Sequence, residues 1–197
     1  MDNMGSYIEI RDTKGRIIEC FKQLVIEKGF ADVRIRDITD LAGLTRPTFY
    51  TYFKDKYEVV EYIFMHEIGT VVAPWLELGQ TREAFMQFII QLDKNRAFYQ
   101  AAIRYEGQNS LGEMIENFSI EALQRHMRKN GRISESGLYS VDTMSRYFGL
   151  FLRFIITQYL RQRNSYSFED LMQAYDLLIN HSPRQLLDGT AVPQKTE

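Results

Sequence analysis

Apolar residues recur along this chain at three- and four-residue intervals, and glycines or polar clusters cut that rhythm into separable helices. Ile17, Cys20, Phe21, Leu24 and Val25 form the first stripe, with Thr13 placed to cap it and Gly29 to close it. Ile35, Ile38, Leu41 and Ala42 form a second, shorter one that stops at Gly43, a residue able to take the positive φ of a helix end. Thr45 can cap a third helix almost at once. Pro47 then falls in the first turn, where a missing N–H costs nothing, and Phe49 and Phe53 lie four apart on one face. Two short helices broken by a glycine turn make a helix-turn-helix. Ile38, Leu41, Leu44, Phe49 and Phe53 need more cover than two short helices can give each other, so the first helix is expected to close a three-helix bundle over them.

The helical period continues to the far end. Asp55 and Glu58 read as a capping box opening a fourth helix through Val59, Val60, Ile63, Phe64 and Ile68. A short piece over 71–78 surrounds Pro74 and Trp75, and Thr81 caps a segment carrying Ala84, Phe85, Phe88, Ile89 and Leu92. Residues 93–105 form another, closed by Gly107; residues 110–130 form a long one, stopped by Gly131; 132–139 read as a loop. Two helices over about 140–163 and 167–181 finish the pattern, the last opened by Ser167 with Asp170 three residues on. No alternating strand pattern, repeat or low-complexity tract interrupts it. The expected fold is all-α, with about nine helices: an N-terminal helix-turn-helix domain over 1–56, a larger helical domain over 57–187 reached through helix four, and a disordered tail over 188–197.

Composition narrows the function more than the fold. At 197 residues and 45% hydrophobic the chain can bury a sizeable core, and a net charge of −2 excludes a chain that is basic all over. Affinity for nucleic acid must therefore come from local placement. Residues 1–56 hold ten Lys and Arg against nine Asp and Glu, a net of +1, with Arg34, Arg36, Arg46, Lys54 and Lys56 all in the helix-turn-helix or its border. One cysteine and three histidines argue against a disulfide or a structural zinc, so no metal or cofactor is expected. The N-terminus lacks a basic segment followed by an apolar run, and no stretch approaches about 18 uninterrupted apolar residues, so a cytoplasmic protein is expected. No nucleophile triad pattern, phosphate-cradling glycine loop or metal-ligand run appears, and Glu113 with Glu116 shows only the spacing of a solvated face, so an enzyme is not expected.

Residues 13–60 carry a denser signal. Ile17-Ile18-Glu19, Gly29-Phe30, Asp37-Ile38, Ala42-Gly43-Leu44-Thr45, Thr48-Phe49-Tyr50, Tyr52-Phe53 and Lys56 fall at the fixed spacing of the tetracycline-repressor (TetR) DNA-binding domain, which this stretch resembles without insertion. Two positions depart from the family pattern. Arg34 stands where a Thr or Ser usually caps the second helix, and Thr39 stands where a small Ala usually follows the Asp-Ile pair. Our reading has Asp32 or water serve the open N–H groups while Arg34 reaches a phosphate.

A recognition helix offers its first residues to base edges and its flanks to phosphates, so Thr45, Arg46, Pro47, Thr48, Tyr50, Thr51 and Tyr52 are the candidate readers, with Arg34, Arg36, Lys54 and Lys56 alongside. Arg46 can grip guanine O6 and N7 with two hydrogen bonds, and Pro47 can touch a thymine methyl. The resemblance implies backbone contacts by Tyr50 and Tyr52 and a phosphate contact by Lys56.

One such unit reads too few base pairs to select a site, so a homodimer on a pseudo-palindromic double-stranded operator is expected. The helix over 140–163 is apolar nearly all round, and with the last helix it supplies the candidate interface: Phe148, Leu152, Ile155, Tyr159, Leu171, Tyr175 and Leu178. Aromatics crowd the second half of the chain, and the resemblance implies a small hydrophobic or aromatic effector there. Met65, His66, Trp75, Phe88, Tyr99, Tyr105, Met114, Phe118, Tyr147 and Phe151 are the candidate lining residues. The expected function is a DNA-binding transcriptional regulator, a repressor released by its effector. The alternatives are a co-activator or adaptor without a small ligand, and a helical hydrophobe-binding protein.

Overall fold

A computed structural model describes residues 3–130, 136–138, 140–161, 166–180 and 185; the tail expected over 188–197 and most of the loop over 132–139 lie outside them. Among the described residues the regular elements are nine helices: α1 (Asn3–Lys28), α2 (Ile35–Ala42), α3 (Arg46–Tyr52), α4, α5 (Thr81–Lys94), α6 (Arg96–Ala102), α7 (Leu111–Asn130), α8 (Val141–Arg161) and α9 (Phe168–Asn180). Helix α4 is one rod made of Lys56–Phe64, a π-helical turn Met65–Gly69, and Thr70–Glu77.

Two boundaries differ from the sequence reading. Helix α1 begins at Asn3, so Thr13 lies in its interior rather than at its cap. The piece around Pro74 is the end of α4 and not a helix of its own: the proline removes one rung of a hydrogen-bond ladder that the π-turn just before it has already loosened.

The first three helices close as expected. Ile17, Phe21 and Val25 of α1 are fully buried with Ile38, Phe49 and Phe53, and Gly43 turns the chain between α2 and α3 at φ 62° and ψ 39°. The Arg16 guanidinium donates to the Ala42 carbonyl, fastening that turn to α1. Leu41 was expected in this core but is 45% exposed, because Ile38 and Ala42 already fill the inward side of so short a helix.

Helix α1 also ties this three-helix bundle to the rest of the chain. Its Phe21 meets Phe98 of α6 edge-on, with ring centroids 6.1 Å apart. Its Lys22 pairs at 2.6 Å with Glu67, inside the π-turn, and Glu67 accepts the Tyr99 hydroxyl at 2.8 Å. Burial, with the Glu67 charge beside it, pushes the Tyr99 phenol well above its usual range, so it serves as a donor.

Beyond the bundle, α7 and α8 run antiparallel. Gly149 lets them touch, since a Cβ there would sit 2.6 Å from Ile120 Cγ1 and 3.2 Å from the Glu116 carbonyl. Arg153 and Glu116 pair across the same seam at 2.8 Å. Helix α9 lies on α5, where Tyr175 stacks on Phe85 at 4.6 Å and Arg82 grips Asp176 at 2.8 Å. No helix among the described residues is long and apolar enough to cross a membrane.

Candidate nucleic-acid interface and ligand cavity

The outer face of α3 follows from its short sequence. Thr45 caps the helix, its hydroxyl taking the Thr48 N–H at 3.3 Å and sharing a hydrogen bond with the Thr48 hydroxyl at 2.8 Å. Phe49 turns inward and is fully buried, which forces Arg46, Pro47, Tyr50 and Thr51 outward, where all four are exposed. Tyr50 is 55% exposed and rests its ring edge against Phe49. Thr51 donates its hydroxyl to the Pro47 carbonyl at 3.1 Å and keeps acceptor capacity outward. Tyr52 is half-buried and packs on the core, so its ring anchors the helix.

The flanking residues divide. Arg34 and Lys54 are exposed at the edges of the motif, and Arg36 is exposed beside Asp40 at 3.4 Å. At the start of α2, Asp37 reaches back to the Arg34 backbone N–H at 2.8 Å and also pairs with Lys28 at 2.8 Å. Those two partners, the Lys28 ammonium first and the Arg34 N–H second, hold the Asp37 carboxyl below the usual aspartate range. Thr39, the second departure, is buried and donates its hydroxyl to the Arg36 carbonyl at 3.0 Å, so it leaves the reading face unchanged.

Lys56 needs a larger correction. Its ammonium donates to the carbonyls of Phe30 and Ala31 at 2.8 Å and of Val33 at 3.0 Å, and lies 4.8 Å from the Phe30 ring centroid. Three donors meet three acceptors, so Lys56 clamps the α1–α2 turn instead of reaching outward to a phosphate. Burial pulls its pKa down, and the Asp32 charge offsets part of that. Beside it, Asp55 caps α4 by accepting the Glu58 N–H at 2.9 Å, while Glu58 reaches one residue past the cap to the Lys54 N–H at 2.6 Å. Phe30, Tyr57 and Tyr105 form a ring cluster there, with centroids 5.0 to 6.1 Å apart, linking the α1–α2 turn, α4 and the α6–α7 connection.

In the second half a cavity of about 190 Å³ opens among α4, α5, α7, α8 and α9. Of the candidate lining residues it takes Phe88, Phe118 and Phe151. Met65 and Met114 line a different groove between α4 and α7, and Tyr105 lines a hollow near Arg153 and Arg161. The other four lie outside these three hollows. His66 is exposed and stacked on Tyr62, Trp75 is half-buried against the core, Tyr99 is buried on Glu67, and Tyr147 is 61% exposed.

The candidate interface changes in the same way. Phe148, Leu152 and Tyr175 line the cavity; Tyr159 and Leu171 are buried within the chain, Tyr159 bonding both Asp93 oxygens at 2.7 and 2.8 Å. Ile155 packs on the core, and the side chain of Leu178 lies outside the described residues. The side of α8 left outward is Tyr147, Leu150 and Phe154, respectively 61%, 54% and 61% exposed.

The lining residues missed in sequence include Val72 and Leu76 of α4 and Ala84, Ser119 and Ala122. For Ala84, Ser119 and Ala122 the signal was small residues at helical spacing among large apolar ones: where Ala or Ser faces Phe, space remains.

Residues 17–63 match the family model described as bacterial regulatory proteins, tetR family. A transcriptional activator of the dhaKLM operon, DhaS of Lactococcus lactis, is 26% identical over 88 residues, 45% of this chain and 47% of that one, so the chain spans about half the length of that relative. TtgW of Pseudomonas putida, an HTH-type regulator, is 25% identical over 126 residues, 61% of this chain and 92% of that one. Among solved structures, a TetR-family regulator from Syntrophomonas wolfei superposes with a TM-score of 0.66 at 18% identity, covering 94% of this chain and 98% of its own. That last likeness is one of fold.

Proposed function

We propose that the chain, whose residues 17–63 match the model for bacterial regulatory proteins of the tetR family, binds a pseudo-palindromic operator as a homodimer, represses transcription from it, and leaves it when a small molecule binds. The observation that carries this reading is the outward face of α3, where Arg46, Pro47, Tyr50 and Thr51 are exposed on a helix held by a capped start and a buried Phe49. Arg46 supplies base discrimination, and Arg34, Lys54 and Tyr50 hold phosphates around it.

A second copy places a second α3 one helical turn of DNA away, about 34–36 Å. The outward strip Tyr147, Leu150 and Phe154 supports that pairing, since three large apolar side chains at helical spacing are better covered than wetted. Val72 and Leu76, in the far end of α4, wall the cavity, while the near end of the same rod carries the Lys56 clamp on the head. A ligand that prefers one setting of this rod changes the spacing of the two heads, and one with equal affinity for both settings changes nothing.

DhaS is named an activator, which favours activation as the second reading. Footprinting on the DNA upstream of the chain's own gene, with a reporter measured with and without that gene, separates the outcomes. A protected two-fold site and a reporter that rises when the gene is removed support repression; a falling reporter supports activation; no protected site sinks both.

A further inference from the structure

From the walls of the 190 Å³ cavity we infer that the effector is an uncharged, hydrocarbon-like molecule of about ten non-hydrogen atoms, a step that rests on the effector reading above. An apolar cavity of about 150 Å³ is enough for benzene, so this one takes a single ring with a short tail or a chain of similar bulk. Phe85, Phe88, Phe118 and Phe151 supply rings, and Val72 and Ile156 supply branched faces. Among the described residues, no Asp, Glu, Lys, Arg or His lines the cavity.

The polar atoms in the wall are few and largely engaged. Ser119 donates its hydroxyl to the Ile115 carbonyl at 2.7 Å, and Thr81 bonds the Tyr175 phenol. Tyr175 is a neutral phenol at neutral pH, as an ordinary tyrosine is, and burial only raises its pKa further, so it can offer a neutral acceptor one hydrogen bond but cannot balance a charge. The nearby ion pairs, Arg82 with Asp176 and Arg153 with Glu116, are already matched. A carboxylate or ammonium entering here would lose its water and gain no counter-charge, a cost that separates it sharply from a neutral molecule of the same shape.

The test uses the full chain and three probes of one shape: propylbenzene, 3-phenylpropanoate and 3-phenylpropylammonium. Calorimetry gives affinities, and nuclear Overhauser effects from probe to protein methyl groups give the location. The expected result is saturable propylbenzene binding with effects to Val72, Ile115 and Ile156, and at least hundredfold weaker binding of both ions. Filling the cavity by Ala122→Leu should weaken propylbenzene at least tenfold, and the location on the unaltered chain stands whether or not that variant folds. Either ion binding as tightly as propylbenzene, propylbenzene contacts elsewhere, or no saturable propylbenzene binding would overturn the assignment. Operator affinity is measured separately with and without bound propylbenzene. Tight binding that leaves operator affinity unchanged removes the release mechanism while the ligand chemistry stands, whereas ions that bind and release the operator do the reverse.

Discussion

Arg46 and Lys56 are both cations of the reading head, and their surroundings give them opposite work. Arg46→Ala removes an exposed side chain, so stability should hold within about 0.5 kcal/mol while operator affinity falls by about 1–3 kcal/mol and discrimination relaxes at one base pair. Lys56→Met leaves the carbonyls of Phe30, Ala31 and Val33 without their donor, and urea unfolding should show a loss of about 2 kcal/mol. The exposure of Arg46 was legible in sequence, because the first turn of a capped helix fixes which way it points. Lys56 was not, since its acceptors come from a turn more than twenty residues earlier whose path no local pattern specifies. Asp37 adds a pH dependence. Its folded pKa is depressed, so its contribution is present above the ordinary aspartate range and is lost as pH falls through the lowered value. Asp37→Asn should flatten the acid limb of a thermal-stability profile and leave the neutral to alkaline part of its shape unchanged.

At the level of elements, the helical stripes predict the helices well and their joints poorly. Ile17 to Val25, Ile35 to Ala42 and Phe49 with Phe53 form the helices read for them, Leu41 alone turning out of the core, because each stripe has one face to bury and a cap or glycine to end it. The join of residues 71–78 to α4 escaped notice because a π-turn leaves no periodic mark and Pro74 suggested a break. The choice of side on α8 escaped for a different reason: a helix apolar all round does not say which face its own chain will cover. Gly149 makes that choice physical. Gly149→Val would drive a side chain into Ile120 and the Glu116 carbonyl, so a loss of about 1–3 kcal/mol is expected in urea unfolding. Propylbenzene binding should weaken with it, since α7 and α8 both wall the cavity.

For the whole molecule, the outward strip on α8 is the point to test. Leu150→Glu combined with Phe154→Glu should give a monomeric mass by analytical ultracentrifugation at micromolar concentration with the helical content unchanged, and operator binding should collapse because one head covers too few base pairs. A mass unchanged from a dimeric parent would place the interface elsewhere. The clamp at the start of α4 has a consequence for building hybrid regulators. A head exchanged at residue 56 keeps Lys56 with its three carbonyls but parts Phe30 from Tyr57 and Tyr105, the rings that hold it from the other side. A graft that carries Tyr57 along, and matches the host at position 105, transplants the joint together with the helix-turn-helix, and under the proposed release mechanism the recipient's own ligand would govern a borrowed operator.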